Sequence, residues 1–431
     1  MLQKKPLKQK HISGAHIMQK NIMKLESFLN RRSKYILAII IFLVIISGIF
    51  YSYHLGNKFR YQDEILYYNG AKNIALNHQF SYDGIKPSVF QPPGYSFFLA
   101  PFLLLSADLV PLRIMNFIAL GLCIYFIYKL LAEKTSSLGG IIGAVLVLCY
   151  PVLFYTAGTL YPQTFGSFIF LLILVLLTKK KKSYITFIIS GILLGYLVLI
   201  IPVFILCLFM ICIWLWLFDK SVNLKCIVLT TIFAFIPITA WSVRNYIVFR
   251  SFIFVSSNSG FMLLLGNSEN TTPNAGPNVD IKKYRNEVTQ QNLGALEEDS
   301  YYREKAVEWI LNHKAQAAKL YFLKFLNNFN YRNNLSTASE ASTAKDIIML
   351  ATYGPLFLLF LCRLLLIKRF KPDSFEILLI SLYFASALFY AIFFTRIRYR
   401  LPFDFLLIAV VAMFLTRLIS THNTVQTVNT I

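Results

Sequence analysis

Acidic residues are scarce in this chain: 20 Asp and Glu stand against 42 Lys and Arg in 431 residues, and charged residues of both signs make up only 14%. With 57% hydrophobic residues and a mean hydropathy of +0.59, so thin a charge excludes a water-soluble domain and leaves the bilayer as solvent. The formal charge of +22 does not imply nucleic acid, because many of the basic residues flank apolar runs instead of covering a soluble face. Cysteine is also sparse. All six (Cys123, Cys149, Cys207, Cys212, Cys226 and Cys362) lie in or beside apolar segments, so no disulfide framework is expected. The six histidines are scattered without metal-ligand spacing, which argues against a protein-built zinc site. No cofactor is expected, and a divalent metal stays an open alternative.

What is abundant is apolar sequence in lengths suited to crossing a bilayer as helix. Such runs occupy about 35–53, 111–131, 138–156, 160–178, 183–200, 202–218, 226–248, 346–367, 375–395 and 401–418. The expected fold is therefore an all-α polytopic membrane protein, a bundle of about ten transmembrane helices. Residues 94–106 form a shorter apolar stretch, read as re-entrant or interfacial, and the runs within 183–218 could be divided differently. Arg31, Arg32 and Lys34 precede the first run, which is too long for a signal-peptide core and has no small-residue cleavage motif. Lys129 and Lys134, Lys179 to Lys182, Lys220 and Lys225, and Lys368, Arg369 and Lys371 fall on alternate turns, which makes those turns cytoplasmic. Residues 1–34 and 419–431 are then cytoplasmic tails, 35–248 a first membrane module and 346–418 the closing helices. The two long polar segments, 54–110 and 249–345, face outward. In the second, Ala306, Trp309, Ile310, Ala317, Leu320, Tyr321, Phe325 and Leu326 recur at helical spacing, which predicts an amphipathic helix from about Asp299 to Phe329.

Four places on the outer side carry chemistry. Asp63 and Glu64 stand just past the first run. Asp63 is suited to be either a helix N-cap or a general base at the membrane boundary, taking the proton of an attacking nucleophile. Gln91-Pro92-Pro93-Gly94-Tyr95 forms a rigid elbow, preceded by Lys86, a surface cation or an anion contact. Arg244, with Asn245 beside it and Asn267 further on, either snorkels to lipid head groups or binds a phosphate. Arg396, Arg398 and Arg400 crowd a short outer hairpin that ought to be poor in cations. Either a helix is misplaced or anionic lipid is the partner, or the arginines form a guanidinium clamp on a phosphate or pyrophosphate; Arg244 on the same face favours the clamp.

Taken in order, Asp63-Glu64 with Tyr67, Gln91-Pro92-Pro93-Gly94-Tyr95, Trp241 to Tyr246 with Ser256 to Asn267, and Arg398-Tyr399-Arg400-Leu401-Pro402 resemble a family. It is the polytopic GT-C glycosyltransferases of the protein O-mannosyltransferase and aminoarabinose transferase type. The resemblance implies a GT-C-like bundle with helical outer loops and inverting transfer of a sugar from a polyprenyl-phosphate carrier. The acceptor, whether protein, lipid or envelope polymer, stays unspecified. Asp63 would be the base with Glu64 beside it. Arg244, Arg398 and Arg400, with Arg396 and Lys86, would hold the donor phosphate. Tyr67, Gln91, Pro92, Pro93, Asn245, Asn267 and Tyr399 would line the cavity. A lipid-linked donor needs no nucleotide, so the lack of a Gly-rich phosphate loop fits. The chain departs from the family's pattern at Gln163, where many relatives are acidic, at Gln91, where some are basic, and at Ile201, where some have arginine. A flippase for a lipid-linked sugar and a non-catalytic envelope-assembly subunit are the competing readings, although the broken midplane helices and paired halves common in transporters are not apparent. The Lys-, Asn- and Ile-rich composition suggests a bacterial inner membrane.

Overall fold

The computed structural model describes residues 8–332 and 342–428, with side chains from 31 to 420 within those limits. The described residues form seventeen α-helices. In chain order α1 (Lys8–Leu55) leads to α2 (Gln62–Asn77) and α3 (Gly94–Leu103) in the first polar segment. Then come α4 (Leu109–Lys134), α5 (Ser137–Leu148), α6 (Pro151–Ala157), α7 (Pro162–Thr178), α8 (Tyr184–Ile200), α9 (Phe204–Phe218) and α10 (Leu224–Phe249). The second polar segment holds α11 (Ser259–Gly266), α12 (Lys282–Gln290), α13 (Ala295–Asn312) and α14 (Lys314–Asn327). The chain closes with α15 (Thr343–Leu365), α16 (Ser374–Ile392) and α17 (Ile397–Val428).

All ten apolar runs are helical, but length certifies fewer crossings than ten. Among the described residues six helices (α1, α4, α10, α15, α16 and α17) are long and apolar enough alone, and α5 with α6 makes a seventh if that pair, bent by 64°, is one span. At about 1.5 Å per residue, the 17, 17 and 15 residues of α7, α8 and α9 fall short of a ~30 Å hydrocarbon core. The bend follows from Pro151, which cannot donate to the ladder and so opens a new helix. Pro202 acts likewise: it holds Ile201 extended (φ −142°, ψ 101°) and separates α8 from α9. The stretch expected at 94–106 is α3, a short helix whose Gly94 abuts the C-terminal turn of α8.

Burial orders the bundle. The apolar window of α17 is 72% buried and those of α1 and α15 only 28% and 22%, so α17 is the central post while α1 and α15 turn apolar faces outward. Helices α8 and α10 approach most closely at Gly191 and Gly195, where a Cβ would collide with the Thr230 and Ala234 carbonyls of α10. At the end remote from the polar segments, Glu376 of α16 accepts from Arg363 of α15 (2.5 Å) and Arg417 of α17 (2.6 Å), tying three helices together.

In place of one amphipathic helix from Asp299 to Phe329 there are two. His313 lies between them in a non-helical conformation (φ −126°, ψ 44°), its ring Nδ1 3.0 Å from the Trp309 carbonyl and stacked on the Trp309 indole. A ring that competes for the i−4 carbonyl weakens the helix at that point.

Candidate functional site

The connection from α1 to α2 is fixed from behind by Arg113 of α4, which donates to the carbonyls of Gly56 and Lys58 (2.6 Å for the latter). Glu64 then sets the start of α2. It is fully buried, one carboxylate oxygen accepts from the backbone N–H groups of Arg60 (2.5 Å) and Tyr61 (3.1 Å), and the other accepts from Leu160 N–H (2.9 Å) before α7. The capping role open to Asp63 thus falls to Glu64, and Asp63 is turned the other way. A Glu64→Gln substitution sets an amide N–H against one of these donors and loses charge-assisted bonds worth about 1.5–3 kcal/mol each. We expect a corresponding loss of thermal stability by fluorescence-monitored unfolding in detergent, with Asp63→Asn close to wild type in the same assay.

Asp63 meets Arg398, in the first turn of α17, at 2.6 Å across 335 residues of sequence. Neither is sealed away: the side chains keep 32% and 23% of their accessible surface. Around them stand tyrosines. The Arg398 guanidinium lies over the rings of Tyr161 (5.0 Å) and Tyr399 (5.1 Å) and donates to the Tyr399 hydroxyl (3.3 Å), while Tyr399 stacks on Tyr390. Burial, then the charge of Asp63, holds the Tyr67 phenol well above its ordinary pKa, and burial pushes Tyr82 up to about 12. Both phenols therefore stay protonated near neutrality and keep a donor hydrogen. The Tyr82 hydroxyl accepts from Gln91 N–H at 2.9 Å. Among the described residues, Arg398 Nε and the buried Gln91 Oε1 have no hydrogen-bond partner.

The other sequence-derived candidates lie elsewhere. Arg400 is fully buried, bonded to Asp404 (2.9 Å) and to the carbonyls of Asn328 (2.6 Å) and Asn330 (2.9 Å). Arg244 lies over Trp241 and donates to the carbonyls of Ser88 (3.1 Å) and Phe80 (3.3 Å), fastening the first polar segment to α10. Asn245 caps the Ile253 carbonyl (3.1 Å), and Asn267 donates to Leu263 (2.9 Å) and Ile392 (2.8 Å). Pro92 and Pro93 lead into α3, with Pro93 as its N-cap residue. Lys86 is exposed, and Arg396 is half-buried beside Gly276. Among the described residues, no three His, Cys, Asp or Glu side chains converge as a metal site.

Tyr82, Tyr161 and Lys324 were not singled out from sequence. For Lys324 a signal exists, since it continues the apolar series Ala317, Leu320 at helical spacing. The structure buries it, and its ammonium donates to the carbonyls of Gly266 (2.8 Å) and Phe393 (2.7 Å) and to Asn267 Oδ1 (3.2 Å), joining the C-terminal ends of α11 and α16. Burial pushes its pKa down to about 7. Below pH 7 both folded and unfolded states hold the proton, and the cost of burying the charge is fully present. Between about 7 and the ordinary lysine value of about 10.4 the unfolded state binds more protons, so stability rises with pH. Unfolding midpoints should climb from pH 6.5 to 9, and Lys324→Met should flatten that slope.

No protein-family model matches the sequence, and no curated protein does so. Among solved structures the chain is similar to ArnT from Cupriavidus metallidurans bound to undecaprenyl phosphate, at 12% identity and TM-score 0.40, over 88% of this chain and 76% of that one. The apo state of that protein gives 11% identity, TM-score 0.40 and coverages of 90% and 76%. An Archaeoglobus fulgidus oligosaccharyltransferase tethered to an acceptor peptide gives 15% identity and TM-score 0.46; the match spans 87% of this chain but only 49% of that protein. With TM-scores below 0.5, these likenesses carry no weight for function.

Proposed function

We propose that the protein is an inverting glycosyltransferase that moves a sugar from a polyprenyl-phosphate carrier to an acceptor at the non-cytoplasmic face of a bacterial inner membrane. The observation that carries this reading is the half-open Asp63–Arg398 pair, a carboxylate and a guanidinium in contact at one end of an apolar bundle. A phosphate entering beside Arg398 competes with Asp63 for the guanidinium and finds the unpartnered Nε as a further donor. Asp63, released, accepts the proton of the acceptor's hydroxyl or amine as that atom attacks the anomeric carbon. The bond to the carrier oxygen breaks on the opposite face, its electron pair leaves on the phosphate, and Arg398 neutralises the charge gained there. A single displacement of this kind inverts the sugar centre. Tyr67 and Tyr82 keep protons for sugar or phosphate oxygens, Glu64 positions Asp63 through the start of α2, and Arg244 and Arg400 hold the frame.

The test supplies membranes containing the protein with radiolabelled polyprenyl-phosphate sugars and native membrane acceptors. Labelled product with inverted linkage is expected, reduced about 10²–10³-fold by Arg398→Gln. If no glycosidic product formed across a panel of such donors, while labelled carrier crossed reconstituted vesicles, the transferase reading would be lost to transport.

A further inference from the structure

Arg398 stands between two anchors on one helix. Ahead of it in the chain, Lys324 of α14 buries its ammonium among the carbonyls of Gly266 (2.8 Å), Ile392 (3.4 Å) and Phe393 (2.7 Å) and the Asn267 side-chain oxygen (3.2 Å). One turn further along α14, Asn327 donates to the Thr395 hydroxyl (2.9 Å). Behind it, Arg400 reaches the Asn328 and Asn330 carbonyls just past the end of α14 (2.6 and 2.9 Å). The chain is thus tied to α14 on both sides of Arg398, which itself meets Asp63 at 2.6 Å.

The first anchor is an unusual use of a lysine. All four oxygens around its ammonium are neutral, so no carboxylate in that shell offsets the cost of burying the charge. What the oxygens share is position: they come from the C-terminal ends of α11 and α16, where carbonyls lack intrahelical donors and the helix dipole is negative. Packing is already tight there, since a Cβ on Gly266 would lie 1.8 Å from the Phe393 carbonyl. Phe394, next in the chain, is buried against Leu264 and Leu265 of α11, and its ring lies 5.7 Å from that of Tyr399, the neighbour of Arg398. The ammonium draws two helix ends and the turn after α16 to one point, so the turn cannot shift without breaking several bonds together.

We propose that Lys324 is a positioning residue for Arg398: by holding the carbonyls at the end of α16 it fixes the turn that presents the guanidinium to Asp63 and to an incoming phosphate. The proposal deepens the transferase reading and rests on it only for the identity of the anion that Arg398 receives. A displacement of about 1 Å at such a contact is enough to cost a large factor in rate.

Two measurements on the full-length protein in detergent test it. Backbone hydrogen exchange at residues 393–398, followed by mass spectrometry without any ligand, should rise about tenfold or more in Lys324→Met while α4 stays level. Native mass spectrometry with undecaprenyl phosphate should show the dissociation constant raised about tenfold or more, the worth of one charge-assisted contact. In an Arg398→Gln background the same substitution should change that constant less than about twofold, because the contact it positions is already gone. Lys324→Arg, which keeps the charge and the donors, should recover most of the loss. Unchanged exchange at 393–398, or an equal fall in affinity in both backgrounds, would overturn the proposal, the second outcome meaning a general loosening of the bundle. If Lys324→Met does not fold, Asn327→Ala, which frees Thr395 in the same turn, decides by the same two readings. A wild-type protein that fails to bind undecaprenyl phosphate would sink the transferase reading, and the exchange result would then judge the positioning role alone.

Discussion

Asp63→Asn should lower the transfer rate by about 10²–10⁴-fold, the usual worth of a general base, without weakening the donor's hold. The second half follows from the ion pair. In the resting protein the Asp63 carboxylate occupies Arg398 at 2.6 Å, so an incoming phosphate must displace one anion before it binds. A neutral amide at position 63 removes that competitor, and the donor's dissociation constant should stay level or fall as kcat collapses. A loss of transition-state stabilisation is read in just this split, rate lost and ground-state binding kept. Asp63→Glu, which keeps the charge but moves it by one methylene, should retain part of the rate. Wild-type transfer by Asp63→Asn would remove Asp63 as base. An equal loss of donor binding and rate would recast it as a support for Arg398.

The contrast between Asp63 and its neighbour shows where the sequence stops being informative. Two adjacent carboxylates at a helix start are equivalent on paper, and either suits a cap or a base. What separates them is Leu160 N–H, brought in from 96 residues away to take the second oxygen of Glu64. Once Glu64 is turned inward by three backbone donors, helical geometry turns Asp63 about 100° aside. The helices themselves were legible because a hydrophobic run of sufficient length has few other stable forms in a bilayer. The 64° break at Tyr150–Pro151 and the split at His313 were not, since a proline or a ring capable of bonding its own backbone breaks a helix in one context and sits quietly in another. The amphipathic stripe of α14 is visible in the sequence, but its lysine at position 324 is not set apart there, although its spacing continues the apolar face.

Arg400 illustrates the same limit with a large consequence for stability. Three arginines within 396–400 suggest a loop that converges on one anion, but α17 begins at Ile397, and residues two apart on a helix point roughly 200° apart. Arg398 can face Asp63 only if Arg400 faces the interior. There it lies 3.8 Å over the Tyr353 ring, pairs with Asp404, and reaches the Asn328 and Asn330 carbonyls, while Tyr150 donates to Asp404 at 2.9 Å. One ion pair, with no exposed surface on either side chain, thereby joins α17, the break between α5 and α6, α15 and the chain that follows α14. Removing one partner leaves the other charged and buried, so Arg400→Ala and Asp404→Asn should each cost about 3–5 kcal/mol. Replacing both, as Arg400→Met with Asp404→Leu, should cost far less than the two together, because no charge is stranded. The measurement is the unfolding midpoint of each variant in detergent, read beside its transfer rate. A frame role requires the double variant to regain most of the stability and with it the transfer. A role in gripping the donor requires the opposite: a double variant that folds but no longer binds undecaprenyl phosphate.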